Sequence, residues 1–95
     1  MNINAMMKQA RKMQAELEKA EKELHKRKFE VNKQGLSIVM LGNRRLDKVD
    51  IDPALIDPDD KEIVEDLFML AVNEANELID QAEEAIQPKN TNLPL

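Results

Sequence analysis

The sequence predicts an α+β domain in which a long helix, a three-stranded antiparallel sheet and a second long helix follow one another (α-β-β-β-α). Three observations indicate this fold class: an apolar repeat of 3.5 residues near the N-terminus, short segments of strand character in the middle, and a long acidic amphipathic segment after them. The 95 residues are expected to form a single domain over residues 1–87, followed by a mobile C-terminal tail over residues 88–95.

The first helix is predicted from about Asn2 to Arg27. Its length would be roughly 36 to 39 Å at 1.5 Å per residue, whereas a compact globule of this chain length is only about 32 Å across. Part of the helix should therefore project beyond its own domain, and a homodimer is the simplest way to cover it. The apolar seam, spaced alternately by four and three residues, consists of Met6, Ala10, Met13, Leu17, Ala20 and Leu24.

Three strands are predicted in the middle of the chain, with breaks at Gly35 and at Gly42-Asn43. In the third strand the alternation places Val49 and Ile51 inward. The second strand is apolar on both faces, so we expect it to be central, with two helices on one face and a partner subunit on the other. The predicted strands are 29–32, 36–41 and 44–51. The residues assigned to the dimer interface are Leu36, Ile38, Met40, Met13 and Leu17.

The closing helix is predicted to begin at Asp57 as N-cap, with Pro58 in its first turn and several acids where the helix dipole favours negative charge. Its end is set by Pro88. One broad apolar stripe should pack on the sheet, formed by Val64, Leu67, Phe68, Ala71, Ala75, Leu78, Ile79 and Ala82.

Charge is distributed unevenly along the chain, whose net charge is −5. Residues 1–45 hold 11 Lys and Arg against 5 acids, while residues 46–95 hold 3 against 14. Two interpretations fit this asymmetry: a polyanion-binding region carried on an acidic scaffold, or two halves that attract each other within a monomer or across a dimer.

A lysine stripe lies opposite the apolar seam of the first helix and is formed by Lys8, Lys12, Lys19, Lys22 and Lys26. Pairs such as Glu18 with Lys22 and Glu23 with Arg27 would explain part of it as helix stabilisation. Three cations, at positions 8, 11 and 12, lie near the helix N-terminus, where positive charge is unfavourable, so phosphate binding is the better explanation for them. Arg44 and Arg45, at a hairpin tip, either reach a phosphate or are simply an exposed basic turn.

Other chemistries are disfavoured by residue types. With no Cys, a single His and only two Gly, the chain offers no pattern for a transition-metal site or a phosphate-cradling loop. Ser37 is the only serine and lies in an apolar strand, which argues against a serine nucleophile. We therefore predict no catalytic residue, metal, cofactor or small-molecule substrate. With no apolar run long enough to span a bilayer, the chain is not expected to cross a membrane, no membrane partner is predicted, and the location should be cytoplasmic.

The chain resembles the YbaB/EbfC family of small bacterial nucleoid-associated proteins. The resemblance is densest over Val49-Asp50-Ile51-Asp52-Pro53-Ala54-Leu55-Ile56 and continues through Ala71-Val72-Asn73-Glu74-Ala75, with a weaker match at Met6-Met7-Lys8-Gln9-Ala10. It implies a tweezer-like homodimer without enzymatic activity that binds duplex DNA in the nucleoid and affects nucleoid organisation or gene expression. The acidic last helix departs from this pattern, since carboxylates against phosphate cost energy, so we assign DNA binding to the first helix.

The predicted function is phosphate-mediated binding of duplex DNA by a homodimer, with weak sequence preference. The alternative is a protein–protein adaptor that docks through the first helix without binding DNA. Attachment to a membrane surface through that helix is a third, weaker possibility, because its seam is rich in Ala and lacks Trp. The predicted DNA-binding residues are Lys8, Arg11, Lys12, Lys19, Lys22, Lys26, Arg27, Lys28, Arg44 and Arg45.

Overall fold

The computed structural model describes residues 2–87 and confirms the predicted order of helices and strands. The predicted tail over residues 88–95, with Pro88, lies outside the described residues. Two short 3-10 turns, Pro53–Leu55 and Pro58–Asp60, form the corner between the sheet and the last helix. The elements are α1 (Ile3–Lys26), β1 (Lys28–Lys33), β2 (Leu36–Leu41), β3 (Leu46–Ile51) and α2 (Lys61–Ile86).

Helix α1 begins and ends within one residue of the predicted limits. Asn2 is its N-cap, with the side-chain oxygen accepting a hydrogen bond from the Ala5 amide at 3.2 Å. Only Leu24, in the last turn, is buried, and residues 3–16 are all exposed. We call residues 3–16 the arm; it is about 21 Å long at 1.5 Å per residue. The predicted projection is confirmed, since the radius of gyration is 19.8 Å and the longest dimension is 72 Å.

The sheet is antiparallel with strand order β1-β2-β3, so β2 is central as predicted. Its bounds match the prediction, whereas β1 extends one residue further at each end and β3 starts two residues later. Gln34 and Gly35 connect β1 to β2 with positive φ angles of 50° and 98°. Two such residues in succession are typical of the tight hairpin turn that matches strand twist.

The core lies between α2 and one face of the sheet. Alternate residues of β2, Leu36, Ile38 and Met40, are 1 to 3% exposed and pack with the stripe of α2. Helix α2 contacts β1 and β2, while α1 contributes only Leu24 to the buried cluster. The expectation of two helices on this face therefore holds fully only for α2, because α1 reaches the core with its last turn alone. The opposite face of β2 is half-buried.

The stripe of α2 was predicted almost completely. Leu67, Ala71, Ala75 and Ile79 are buried, and Leu78 differs because it is 36% exposed at the edge of the stripe. The helix itself starts later than predicted, at Lys61, because Asp57 caps the preceding 3-10 turn by accepting a hydrogen bond from the Asp59 amide at 2.9 Å.

Strand β3 is largely uncovered. Val49 pairs with Ile38 in register and so shares the core face of the sheet, yet it is 44% exposed. The prediction that Val49 is inward is correct, in that its side chain lies on the core face of the sheet. The side chain is nevertheless not buried, because α2 lies over the other two strands. Ile51 is half-buried and packs against the core.

Gly42 sets the distance between α1 and the sheet. A Cβ atom at this position would lie 1.8 Å from the Leu24 carbonyl oxygen and 3.2 Å from the His25 Cα atom. The Gly42 amide also donates a hydrogen bond to the Arg27 carbonyl at 2.9 Å. The last turn of α1 therefore rests directly on the backbone that follows β2.

Replacing Gly42 by Ala is expected to lower the free energy of unfolding by about 2 kcal/mol or more, because the clash involves backbone atoms that cannot rotate away. Chemical denaturation followed by circular dichroism measures this loss. The control is Ser37→Thr, which adds one methyl group to the half-buried open face of β2. Equal stability of Gly42→Ala and the wild type would contradict the close approach.

Candidate nucleic-acid interface

The basic face of α1 is the largest set of cations without carboxylate partners. Within residues 2–87, none of its Lys and Arg side chains forms an ion pair. All of them are exposed, and the arm contains a single acid, Glu16, at its end. The members of this basic face are Lys8, Arg11, Lys12, Lys19, Lys22 and Lys26, and Arg27 follows them as the C-cap residue.

The helix separates the cations from the apolar seam. Lysines spaced by three and four residues lie on one side of α1, and the seam lies about 160° away at 100° per residue. The lower part of the seam, Leu17, Ala20 and Leu24, is half-buried or buried near Ile86 of α2. The upper part remains uncovered, with Met6 58% and Met13 48% exposed. The lysines therefore point away from any surface that covers the seam.

Ion pairs within α1 do not neutralise the cations near its C-terminal end. No ion pair among residues 2–87 joins Glu18 to Lys22 or Glu23 to Arg27. The guanidinium of Arg27 instead lies 4.8 Å from the ring centroid of Phe29, a cation–π contact. These side chains stay available to an anion.

Cations of the sheet are different, because three of them are paired. Lys28 lies 3.7 Å from Asp47, and Lys33 donates a hydrogen bond to Glu74 at 2.9 Å. Arg44 is paired with carboxylates of α2. Attraction between the two halves within a monomer, one of the two interpretations of the charge asymmetry, is thus observed for these three cations. The α1 cations meet no acid within residues 2–87, and polyanion binding by them stays a prediction.

Arg44 joins the β2–β3 turn to α2. Its guanidinium contacts the side chain of Asn76, pairs with Asp80 and donates to Glu83 at 3.2 Å. The hydrogen bond that Arg44 donates to the Asp80 carboxylate is the main cause that raises the pKa of Arg44 above its ordinary value. The residue adopts a φ of 71°, a left-handed conformation that few non-glycine residues adopt. Arg44 therefore clamps the turn to the helix, with its charge matched by two carboxylates, and its contact with DNA stays a prediction.

Arg45, the neighbour of this clamp, is exposed, and its side chain forms no ion pair within residues 2–87. The sequence analysis treated these two arginines alike. The clamp partners, at positions 76, 80 and 83, share one face of α2 at helical spacing, and this periodicity was the available signal.

The residues assigned to a dimer interface fall into two groups. Leu36, Ile38 and Met40 lie in the core of the protomer itself, so they are corrected to core residues. Met13 and Leu17 line a cavity between α1 and the last turn of α2, and Met13 is exposed there. Only this second group offers apolar surface to another molecule.

Two other functional classes find no support in the part of the chain that the structure describes. Neither helix is long and apolar enough to cross a bilayer. Among residues 2–87, no group of three or more His, Asp and Glu side chains is arranged to hold a metal ion.

Comparison with known proteins adds a functional class. The sequence profile of the YbaB/EbfC DNA-binding family matches residues 1–92. A nucleoid-associated protein of Metamycoplasma arthritidis is 51% identical over 92 residues, which cover 97% of each chain. One of Mycoplasmopsis pulmonis is 56% identical over 92% of this chain and 87% of its own length. One of Ruminiclostridium cellulolyticum is 42% identical over 78% of this chain and 66% of its own.

Replacing Arg44 by Gln is expected to lower the free energy of unfolding by about 0.5 to 1 kcal/mol at low salt, because exposed ion pairs contribute little each. The difference should shrink in 1 M salt, which screens the pairs. Arg45→Gln is the matched control, with the same charge change one residue away. Denaturation at two salt concentrations measures both, and equal losses for the two variants would contradict the clamp.

Proposed function

Because this chain belongs to the YbaB/EbfC DNA-binding family, we propose that it binds duplex DNA in the nucleoid as a homodimer, mainly through phosphate contacts made by the basic face of α1. The names of its relatives, all nucleoid-associated proteins, support the location. Effects on nucleoid organisation or gene expression would follow from this binding.

One observation carries the proposal: a projecting helix bears cations that no carboxylate of residues 2–87 neutralises. Lysine and arginine contribute to DNA affinity by displacing counterions from phosphates, and this requires charges that are free to approach the backbone. The arm meets that requirement because it stands clear of the acidic remainder of the chain. Residues 28–87 carry 15 acids and 6 bases, which repel phosphate.

A homodimer is supported by the apolar surface that the protomer leaves exposed. Large side chains in three elements are between 42% and 58% exposed, including Met6 in α1, Leu46 in β3 and Met69 in α2. Exposed apolar surface of this extent in a small chain is typical of association. Two protomers also present two arms, which doubles the number of phosphate contacts.

Weak sequence preference is expected because lysine dominates the basic face. Lysine is a mobile point charge that meets phosphate from many directions, whereas arginine, asparagine and glutamine read base edges through paired hydrogen bonds. Arg11 is the single arginine of the arm. The contacts should therefore position the protein on the duplex more than they select a sequence.

Affinity for a mixed-sequence duplex is expected to fall by about 10³ to 10⁵ between 50 and 200 mM salt if six to ten phosphate contacts form in the dimer. Fluorescence anisotropy with a labelled duplex over a salt series measures the slope. A flat salt response would refute phosphate-mediated binding.

Changing Lys8, Arg11 and Lys12 together to Ala should weaken DNA binding and reduce the salt slope by about five, since six contacts are removed from the dimer and each contributes about 0.9. The dimer mass and the unfolding temperature should not change, because all three side chains are exposed. The charge-matched control replaces Lys28, Lys33 and Lys61 by Ala, of which the first two are paired with acids. Equal effects of the two triple variants would rule out the arm as the main contact.

The adaptor function is a second candidate, favoured by the uncovered upper seam of α1 around Met6 and Met13. An adaptor would bind a protein partner through the apolar side of the arm and leave DNA mobility unchanged. A gel shift at two salt concentrations, with light scattering for mass, separates the two functions. Retardation of DNA that depends on the arm cations supports the first.

A further inference from the structure

The cations of the basic face share a narrow band along α1. At about 100° per residue, all six members of this face lie within an arc of roughly 100° around the helix axis. Lys8 and Lys26, at the two ends, have the same angular position, so the band runs parallel to the axis for about 27 Å. Because it is straight and narrow, the basic face meets only one row of phosphates at a time.

Acids lie on both flanks of the basic face. Glu18 lies on one flank, about 80° from Lys8 and Lys26 around the axis. Glu16 and Glu23 lie on the other flank, at about 60 to 80°. All three acids are exposed, and none of them forms an ion pair within residues 2–87. Free negative charge therefore borders the cations on either side.

This arrangement excludes α1 from the grooves of DNA. A helix with its side chains is about 10 to 12 Å across and fills the major groove, which is about 12 Å wide, so both of its flanks face phosphates. In α1, those flanks would bring acids against phosphates and leave the lysines facing base edges. The minor groove, at about 6 Å, is too narrow for a helix. The basic face therefore fits the outer row of phosphates of one strand, which we call the ridge.

Contact with the ridge does not depend on the shape of a groove. The major groove of an A-form RNA duplex is deep and narrow, so a protein that reads DNA by inserting a helix does not find the same site on RNA. A ridge of phosphates, in contrast, runs along every duplex. Lysine suits both forms, because its ammonium group is a point charge on a flexible stem that adapts to different phosphate spacings.

Single-stranded nucleic acid is a poorer match. Proteins that bind it without sequence preference stack the bases on aromatic side chains. The chain has no Trp or Tyr, and its two aromatic residues are Phe29, which is buried, and Phe68, which is half-buried. The nucleic acid that fits the basic face is therefore a duplex.

We propose that this protein binds A-form duplex RNA as well as duplex DNA, with α1 lying on the ridge of one strand outside the grooves. The inference rests on the proposed function, because it uses the same basic face, and it extends that function to a second nucleic acid. The lysines supply the affinity. The acids on the flanks keep the helix out of the major groove and so prevent discrimination between the two duplexes.

Direct comparison of the two duplexes tests the inference. RNA and DNA duplexes of one sequence and length are titrated with the full chain, and fluorescence anisotropy measures both affinities over a salt series. The dissociation constants should agree within about threefold and the salt slopes within about one, since both duplexes offer a row of phosphates. RNA binding that is weaker than DNA binding by about tenfold or more would contradict contact outside the grooves.

Two double variants show which side of α1 faces the duplex. Lys19→Ala with Lys22→Ala should lower both salt slopes by about three to four, because four contacts are lost from the dimer and each contributes about 0.9. Glu18→Gln with Glu23→Gln removes one acid from each flank and should leave the ratio of RNA to DNA affinity unchanged. A gain for DNA alone would overturn the inference, because it would place the flanks against the walls of the major groove. All four side chains are exposed, and circular dichroism checks the fold of both variants.

A duplex with a filled major groove provides an independent measurement. DNA that contains glucosylated 5-hydroxymethylcytosine carries a sugar at the C5 position of the base, which lies in the major groove. Its affinity should equal that of unmodified DNA, because the ridge is unchanged. A loss of about tenfold or more would show that α1 enters the groove and would overturn the inference.

The outcomes separate this inference from the proposed function. Binding of both duplexes with matching salt slopes supports the inference. Binding of DNA without binding of RNA overturns the inference and leaves the proposed function standing. A chain that binds neither duplex at low salt overturns both.

Discussion

The width of one helix limits what this protomer can cover. A helix with its side chains is about 10 to 12 Å across, and neighbouring strands are about 4.8 Å apart, so one helix covers roughly two strands. Helix α2 packs over β1 and β2 with small residues, Ala71 and Ala75, that are fully buried. Strand β3 is left open as a result. Because α1 is held only through its last turns, its first half is left open too.

The sequence predicts well which side chains share a face within one helix or strand. It predicts poorly which elements pack against each other. The seam of α1, the bounds of β2 and the stripe of α2 follow from spacing, because a residue repeat decides which side chains share a face. The exposure of Val49 does not follow, since it depends on which strands the helix covers. The assignment of Leu36, Ile38 and Met40 to an interface failed for a related reason: a strand apolar on both faces does not reveal which face its own helix takes.

The candidate site shows the same division. Exposed lysines on the face of α1 opposite the seam could be predicted, because charge and helical period are both local properties. The different roles of Arg44 and Arg45 could not. Only the fold brings the left-handed turn residue beneath the face of α2 that carries Asn76, Asp80 and Glu83. Adjacent arginines with identical charge thus differ in the contacts that the fold gives each of them.

The separation of charge between arm and body has a consequence for DNA that is densely covered by this protein. Each chain has a net charge of −5, so every bound copy adds negative charge to the complex. Coating the duplex would therefore leave its total charge uncompensated, with acidic bodies turned toward the solvent. If the arm binds DNA as proposed, such a coat would resist the collapse that strongly basic proteins cause and would keep neighbouring covered segments apart by mutual repulsion.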